Sequence, residues 1–359
     1  VWGVFPRELG RSEEGGALQV DWRPLATATL CTFIYLQPSA GIAQERAFAS
    51  VERPNDIVTG AIARSNAANL GIKQSRTDVV EFLAGPFPYD GKVPGTGRPF
   101  IVDKDGKRLH YSARGRAFSE STFDDQRTLM HIPQGFNIKK PGVIVVFFHG
   151  HGAELNRDVW RRQQVPAQIS KSYSNAVLLA PQFALDASDS SAGNFWQPNG
   201  FARYLREAAR NLAKLYGDPR TEQIFAKMPV VIVSYSGGYG PAAAVIKNGG
   251  IGKRLLGIVM LDSLYAELDT FENWILSNRS GFFVSAYLSS TRRQNQELKE
   301  MLREKNIGVA DSLNGKIKSG TVAFIAGNPE EERHRDFVTQ AWTDGPIADV
   351  LNRLPEYRR

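Results

Sequence analysis

From about residue 127 onward the chain alternates short apolar runs with stretches of helical periodicity. The runs are Arg127–Ile132, Val143–Phe148, Ala176–Ala180, Val230–Val233, Leu255–Leu261, Phe282–Leu288 and Thr321–Ala326. Most are rich in β-branched residues and end at Gly, Pro, Asp, Asn or Ser. The intervals 154–172, 201–216, 241–247, 266–278, 293–305 and 336–353 place apolar residues three and four apart, the spacing of one helix face. A continuous apolar run is a strand buried on both sides, which is the habit of parallel sheets. Strands alternating with helices therefore predict a mostly parallel central sheet with helices on both faces, an α/β fold. Arg127–Ile132 is more polar and predicts an antiparallel edge strand. Upstream, residues 44–82 predict a weakly periodic helical lead-in. Residues 84–118, with PFPYDGKVPGTGRPF among them, predict loops and short strands.

The first residues have a different pattern. Leu25–Leu36 is an apolar run of about a dozen residues, too short to cross a bilayer. Arg7, Arg11 and Arg23 precede it, and Ser39, Ala40, Gly41 and Ala43 follow. This predicts a signal peptide over 1–43, cleaved after Gly41-Ile42-Ala43. It places the protein in the periplasm or outside of a bacterium. The one cysteine, Cys31, falls inside that leader, so the exported chain would hold no disulfide and rest on its core. Residues 44–126 then form an N-terminal extension packing on the core. No boundary divides 127–359, which reads as one catalytic domain.

Composition narrows the partners. Among 359 residues, 42% hydrophobic and 23% charged content is that of a soluble globular protein. A net charge of +7 makes the surface basic and leaves room for an anionic cell-envelope partner. No Lys/Arg run interleaved with aromatics is present, which argues against nucleic acid. The leader aside, no segment predicts stable membrane insertion.

The chemistry centres on Pro229–Gly240, PVVIVSYSGGYG. An apolar strand stops at Ser234-Tyr235-Ser236-Gly237-Gly238 and an Ala-rich helix follows. A sharp strand-to-helix turn lifts a serine Oγ off the backbone and needs small residues two positions either side, here Ser234 and Gly238. Ser236 is the candidate nucleophile. His334, just after the last strand, is the candidate base that takes the serine proton and returns it to the leaving group. Asp262, at the end of the strand after the serine strand, is the candidate that orients the imidazole. As alternatives, Asp262 is a helix N-cap and His334 a surface histidine.

With His149-Gly150-His151-Gly152, Ser234-Tyr235-Ser236-Gly237-Gly238, Asp262 and His334 each at a strand end, the chain resembles the α/β-hydrolase superfamily. The resemblance covers about 127–359 and includes the order serine, acid, histidine. It implies a serine hydrolase working through an acyl-enzyme, with neither metal nor cofactor. It also implies an oxyanion hole from Gly237 and the 149–152 loop, most directly His151 with Gly150 beside it. Two departures stand out. Ser234 replaces the first glycine of the turn. Many members carry the acid one strand later, where this chain reads Ser289-Ser290-Thr291-Arg292-Arg293.

The long loop Phe183–Phe201 offers Asn194, Phe195 and Trp196 as pocket residues, with Tyr235 of the serine turn beside them, while Phe183 and Trp196 also fit core packing. Ester hydrolysis is the expected reaction. An amide or peptide bond of the cell envelope is the alternative. Three other readings use the same residues. Gly238-Tyr239-Gly240-Pro241-Ala242-Ala243 followed by Asp262 about twenty residues on fits a dinucleotide fingerprint for NAD. His149 and His151 alternate as metal ligands do, although no third ligand is evident. The pocket of a pseudo-hydrolase would bind without catalysis.

Overall fold

The computed structural model describes residues 71–328, 330 and 333–359. The leader over 1–43 with Cys31, and the lead-in as far as residue 70, lie outside the described residues.

An eight-stranded sheet runs in the order β1 (Arg76–Glu81), β5 (Arg127–Ile132), β7 (Ala176–Pro181), β6 (Val143–Phe148), β8 (Val230–Tyr235), β9 (Leu255–Leu261), β10 (Phe282–Tyr287), β11 (Val322–Ala326). From β7 to β11 every neighbouring pair is parallel, and β5 is antiparallel to both β1 and β7. A smaller antiparallel sheet joins β2 (Val102–Lys104), β3 (Lys107–Tyr111) and β4 (Ala117–Ser119). The predicted mostly parallel sheet is present.

Side chains of successive strand residues point to opposite faces, so each central strand feeds two cores. On one face Ile144, Val146 and Phe148 pack with Phe201, Leu205 and Leu212 of α2 (Gly200–Tyr216) and Ala242–Val245 of α4 (Tyr239–Asn248). On the other, Val143, Val145 and Phe147 pack with Ile169 of α1 (Val165–Lys171) and Ile347 and Leu351 of α7 (Pro346–Asn352). All six residues of β6 are buried, which is why its sequence shows no alternation. The remaining helices are α3 (Glu222–Lys227), α5 (Leu268–Ser277) and α6 (Arg292–Glu304). Phe82, Phe87, Phe100 and Phe123 from the segment before β5 are buried in the α2-side core, and Phe82 meets Tyr204 at 5.2 Å between ring centres. Among the described residues no helix is long and apolar enough to cross a membrane.

Four expectations are corrected. Arg76–Glu81, inside the expected helical lead-in, is a strand. It pairs with β5 from Arg76 opposite Ile132 to Glu81 opposite Arg127, where β-branched Thr77, Val79 and Val80 fit a pleated surface. Consequently β5 is not the edge; β1 is. The interval 336–353 is helical only over Pro346–Asn352, because Gly345 at φ 68° and Pro346 set the helix start there. The interval 154–172 is broken at Gln164, which is left-handed (φ 51°), into the π-helix Leu155–Arg162 and α1.

Candidate active site

Ser236 stands between the end of β8 and the start of α4 with φ 52°, left-handed and unfavourable for any residue but glycine. Such strain persists only where the surroundings enforce it. Here the next two residues have no room for a side chain. A Cβ on Gly237 would lie 2.3 Å from His151 Cδ2, and one on Gly238 would lie 2.5 Å from the Phe148 carbonyl oxygen. Gly150 presses equally closely, since its Cβ would lie 2.7 Å from that of Ser236. Ser234, the departure from the glycine pattern, is fully buried and supports the turn. Its hydroxyl lies 2.6 Å from that of Ser263, and Ser263 donates to the Ser236 carbonyl at 2.8 Å. A carbonyl only accepts, so Ser234 donates to Ser263.

His334 bridges Ser236 and Asp262. Its Nε2 is 2.9 Å from Ser236 Oγ and its Nδ1 is 2.6 Å from Asp262 Oδ2. Asp262 is fully buried and is also left-handed, with φ 43°. Burial pushes its carboxyl upward, but hydrogen bonds from His334, Ser290, Thr291 and the Leu288 amide outweigh it and hold the group below the usual carboxylate range. Ser290 Oγ donates at 2.6 Å, Thr291 Oγ1 at 2.5 Å and Leu288 N at 3.1 Å. The strand end that lacks a carboxylate thus supplies the hydroxyls that hold one. Tyr235 lies under the imidazole. Its ring stacks on His334 at 5.1 Å and its hydroxyl donates to the His334 carbonyl at 2.9 Å. That places it as a support for the histidine. The Tyr265 phenol completes the cluster; burial raises its pKa, and hydrogen bonds to Ser290 and Ser236 oppose the rise.

The two histidines of the 149–152 loop differ. His149 is buried with both nitrogens engaged. Nε2 accepts from Phe183 N at 2.8 Å and from the Gln182 amide at 3.0 Å, which leaves Nδ1–H to donate to the Gly150 carbonyl at 2.9 Å. His151 lays its ring against Gly237, and its Nε2 is 2.7 Å from Ser190 Oγ. Burial pushes the His151 pKa down, the Asp189 carboxylate pulls it up, and Arg114 and His334 push it down again. Gly152, at φ 69°, gives its N–H to the Ala187 carbonyl.

Among the described residues no three His, Cys, Asp or Glu side chains are grouped as metal ligands. The glycines read as a dinucleotide fingerprint serve protein contacts instead. Gly238 admits the end of β6, and a Cβ on Gly240 would lie 2.3 Å from the Ser190 carbonyl. The backbone closeness that a pyrophosphate would need is therefore already used. Asn194 is a loop fastener, its Nδ2 donating to the Gly85 and Pro88 carbonyls. Phe183 is buried against Phe148. Trp196 lines a cavity beside the serine turn.

Sequence reasoning brought Ser236, His334 and Asp262 forward, and the structure brings all three together. It passed over Ser263, Tyr265, Ser290 and Thr291. The one available signal was the hydroxyl run Ser289–Thr291 in place of an acid.

No family model and no curated protein matches the sequence. Solved structures resemble this chain at low identity. An S-formylglutathione hydrolase from Agrobacterium tumefaciens is 12% identical, over 71% of this chain and 98% of that one, with a TM-score of 0.40. A ferulic acid esterase is 10% identical, over 78% and 97%, with a TM-score of 0.41. The BES protein from Bacillus cereus is 12% identical, over 85% and 98%, with a TM-score of 0.40. The eight-stranded, mostly parallel sheet, with a strained serine turn after β8 and an aspartate and a histidine at later strand ends, gives this chain the α/β-hydrolase fold.

Proposed function

We propose that the protein is a serine hydrolase that cleaves a carboxylic ester through an acyl-enzyme. The observation that carries this reading is the continuous hydrogen-bonded line from Ser236 Oγ through His334 to Asp262. Ser236 Oγ attacks the ester carbonyl carbon while its proton passes to His334 Nε2. The developing oxyanion is met by the backbone N–H groups of His151 and Gly237, with Gly150 shaping the loop. The C–O bond to the alcohol breaks, and the alcohol leaves with the proton from His334. A water then gives its proton to His334 and attacks the acyl carbon. Collapse releases the carboxylic acid and returns the proton to Ser236. Asp262 stays ionised throughout. It holds Nδ1–H, fixes the tautomer and stabilises the imidazolium. The hydroxyls of Ser290 and Thr291 keep it ionised despite burial.

Turnover of p-nitrophenyl esters, set against matched p-nitroanilides, tests the reading. The expected result is ester turnover by the wild type and a loss of about 10⁴-fold or more in kcat for Ser236→Ala. Faster anilide than ester turnover would reassign the reaction to amide hydrolysis on the same residues. Ester turnover that survives Ser236→Ala would overturn the assignment of the nucleophile.

A further inference from the structure

Between the small sheet and the loop before α2 lies a cavity of about 380 Å³. Phe100, Tyr111, Trp196 and Tyr239 form its walls, and Asp189 and Ser190 lie at its floor. The floor touches the serine turn. Ser190 Oγ is 2.7 Å from His151 Nε2, the His151 ring rests on Gly237, and the Ser190 carbonyl abuts Gly240. A group attached to a carbonyl at Ser236 therefore has this cavity as its neighbour.

The walls pack ring against ring. Trp196 meets Phe100 edge-on at 5.9 Å and Tyr89 at 5.7 Å, and Phe100 stacks on His110 at 4.0 Å. Aromatic walls set edge and face favour a flat ring over a flexible chain. The floor adds polarity that an alkyl chain cannot match. Asp189 is held below the usual carboxylate range, because contacts from His110 and Ser191 outweigh the upward push of burial. Its Oδ2 lies 3.4 Å from His110 Nε2. Its Oδ1 accepts from Ser191 N at 2.7 Å. Each carboxylate oxygen thus already meets a protein partner, and the lone pairs left to it accept only, so a polar group of a ligand at this floor has to be a donor.

We propose that this cavity is the specificity pocket of the enzyme and takes a flat aromatic ring bearing a hydrogen-bond donor, such as a phenolic hydroxyl, on either the acyl or the alcohol side of the ester. The proposal rests on the serine-hydrolase reading for its kinetics but not for binding.

Two ester series distinguish the sides. Methyl 3-(4-hydroxyphenyl)propanoate is set against methyl hexanoate, and 4-hydroxyphenethyl acetate against hexyl acetate. In one series the ring-bearing ester should show kcat/KM about 10-fold or more above its alkyl counterpart. Ala113→Trp, in the exposed turn between β3 and β4, should fill the cavity mouth without disturbing the core. Trp196→Ala removes a wall. Each should erase the ring preference, and Ala113→Trp should leave ethyl acetate hydrolysis within about two-fold of wild type. Titration with 4-hydroxyphenethyl alcohol, followed by protein NMR, should show binding to wild type and none to Ala113→Trp. That readout stands even if Ser236 proves unreactive. Absence of a ring preference in both series, persistence of the preference in Ala113→Trp, or equal binding of the alcohol to both proteins would overturn the pocket. Failure of ester turnover with binding intact would overturn the hydrolase reading alone.

Discussion

His149 follows β6 and His334 follows β11, so both stand at the C-terminal ends of parallel strands. His149 is buried at 3% exposure, with each ring nitrogen committed to a protein partner, and burial lowers its pKa to about 4. The His334 side chain is 39% exposed and lies between a carboxylate and a hydroxyl. A proton shuttle needs one nitrogen fixed and the other free to exchange with a reacting group. His334 has that arrangement. His149 instead organises a loop, tying the end of β6 to Gln182 and Phe183. Two histidines that look alike in the sequence are separated by what their second nitrogen touches.

The largest expected effect breaks the comparison directly. His334→Ala should lower kcat by about 10⁴-fold or more with little change in stability. His149→Gln should keep kcat within about 10-fold while costing roughly 1–3 kcal/mol of stability, since the Phe183 amide loses its acceptor. Steady-state kinetics and urea unfolding on the two variants read both quantities. Equal losses of kcat would erase the distinction.

Acid sharpens it. His149 and His131 both have folded pKa values lowered from 6.5 to about 4, mainly by burial. As pH falls below 6.5 the unfolded chain binds protons that the folded chain refuses until about pH 4. Stability is therefore full above the unfolded pKa and is lost through that window, by about 2 kcal/mol per histidine at pH 5. Urea midpoints at pH 7 and pH 5 should show the loss. His149→Gln should show about half of it. An unchanged slope in that variant would remove His149 from the account.

Thr291→Val sharpens the acid side with a smaller effect. It removes one hydroxyl from Asp262 while keeping the side-chain shape, and should lower kcat about 10-fold, with KM little changed, by loosening the carboxylate that orients His334. A wild-type kcat for Thr291→Val would make the Ser290–Thr291 clasp structural only.

The parallel strands were readable because burial on both faces writes an uninterrupted apolar run, as in VIVVFF of β6. β1 was hidden for the opposite reason. As an edge strand carrying Arg76, Asp78 and Glu81 it has little apolar signal, and its partner β5 is remote in sequence. Ser236, Asp262 and His334 were legible because each follows a strand, in the serine, acid, histidine order. Ser290 and Thr291 were not, because their contact with Asp262 arises only where the ends of β9 and β10 lie side by side. Tyr235 showed itself as an aromatic residue in the turn, but its place beneath His334 depends on how the loop after β11 folds back.

The most direct test of the central claim is covalent labelling with a fluorophosphonate, mapped by peptide mass spectrometry. One phosphonyl group on Ser236 is predicted in the wild type, with labelling slowed by orders of magnitude in His334→Ala and absent in Ser236→Ala. An adduct on another residue, or an unlabelled Ser236 in folded wild-type protein, would contradict it.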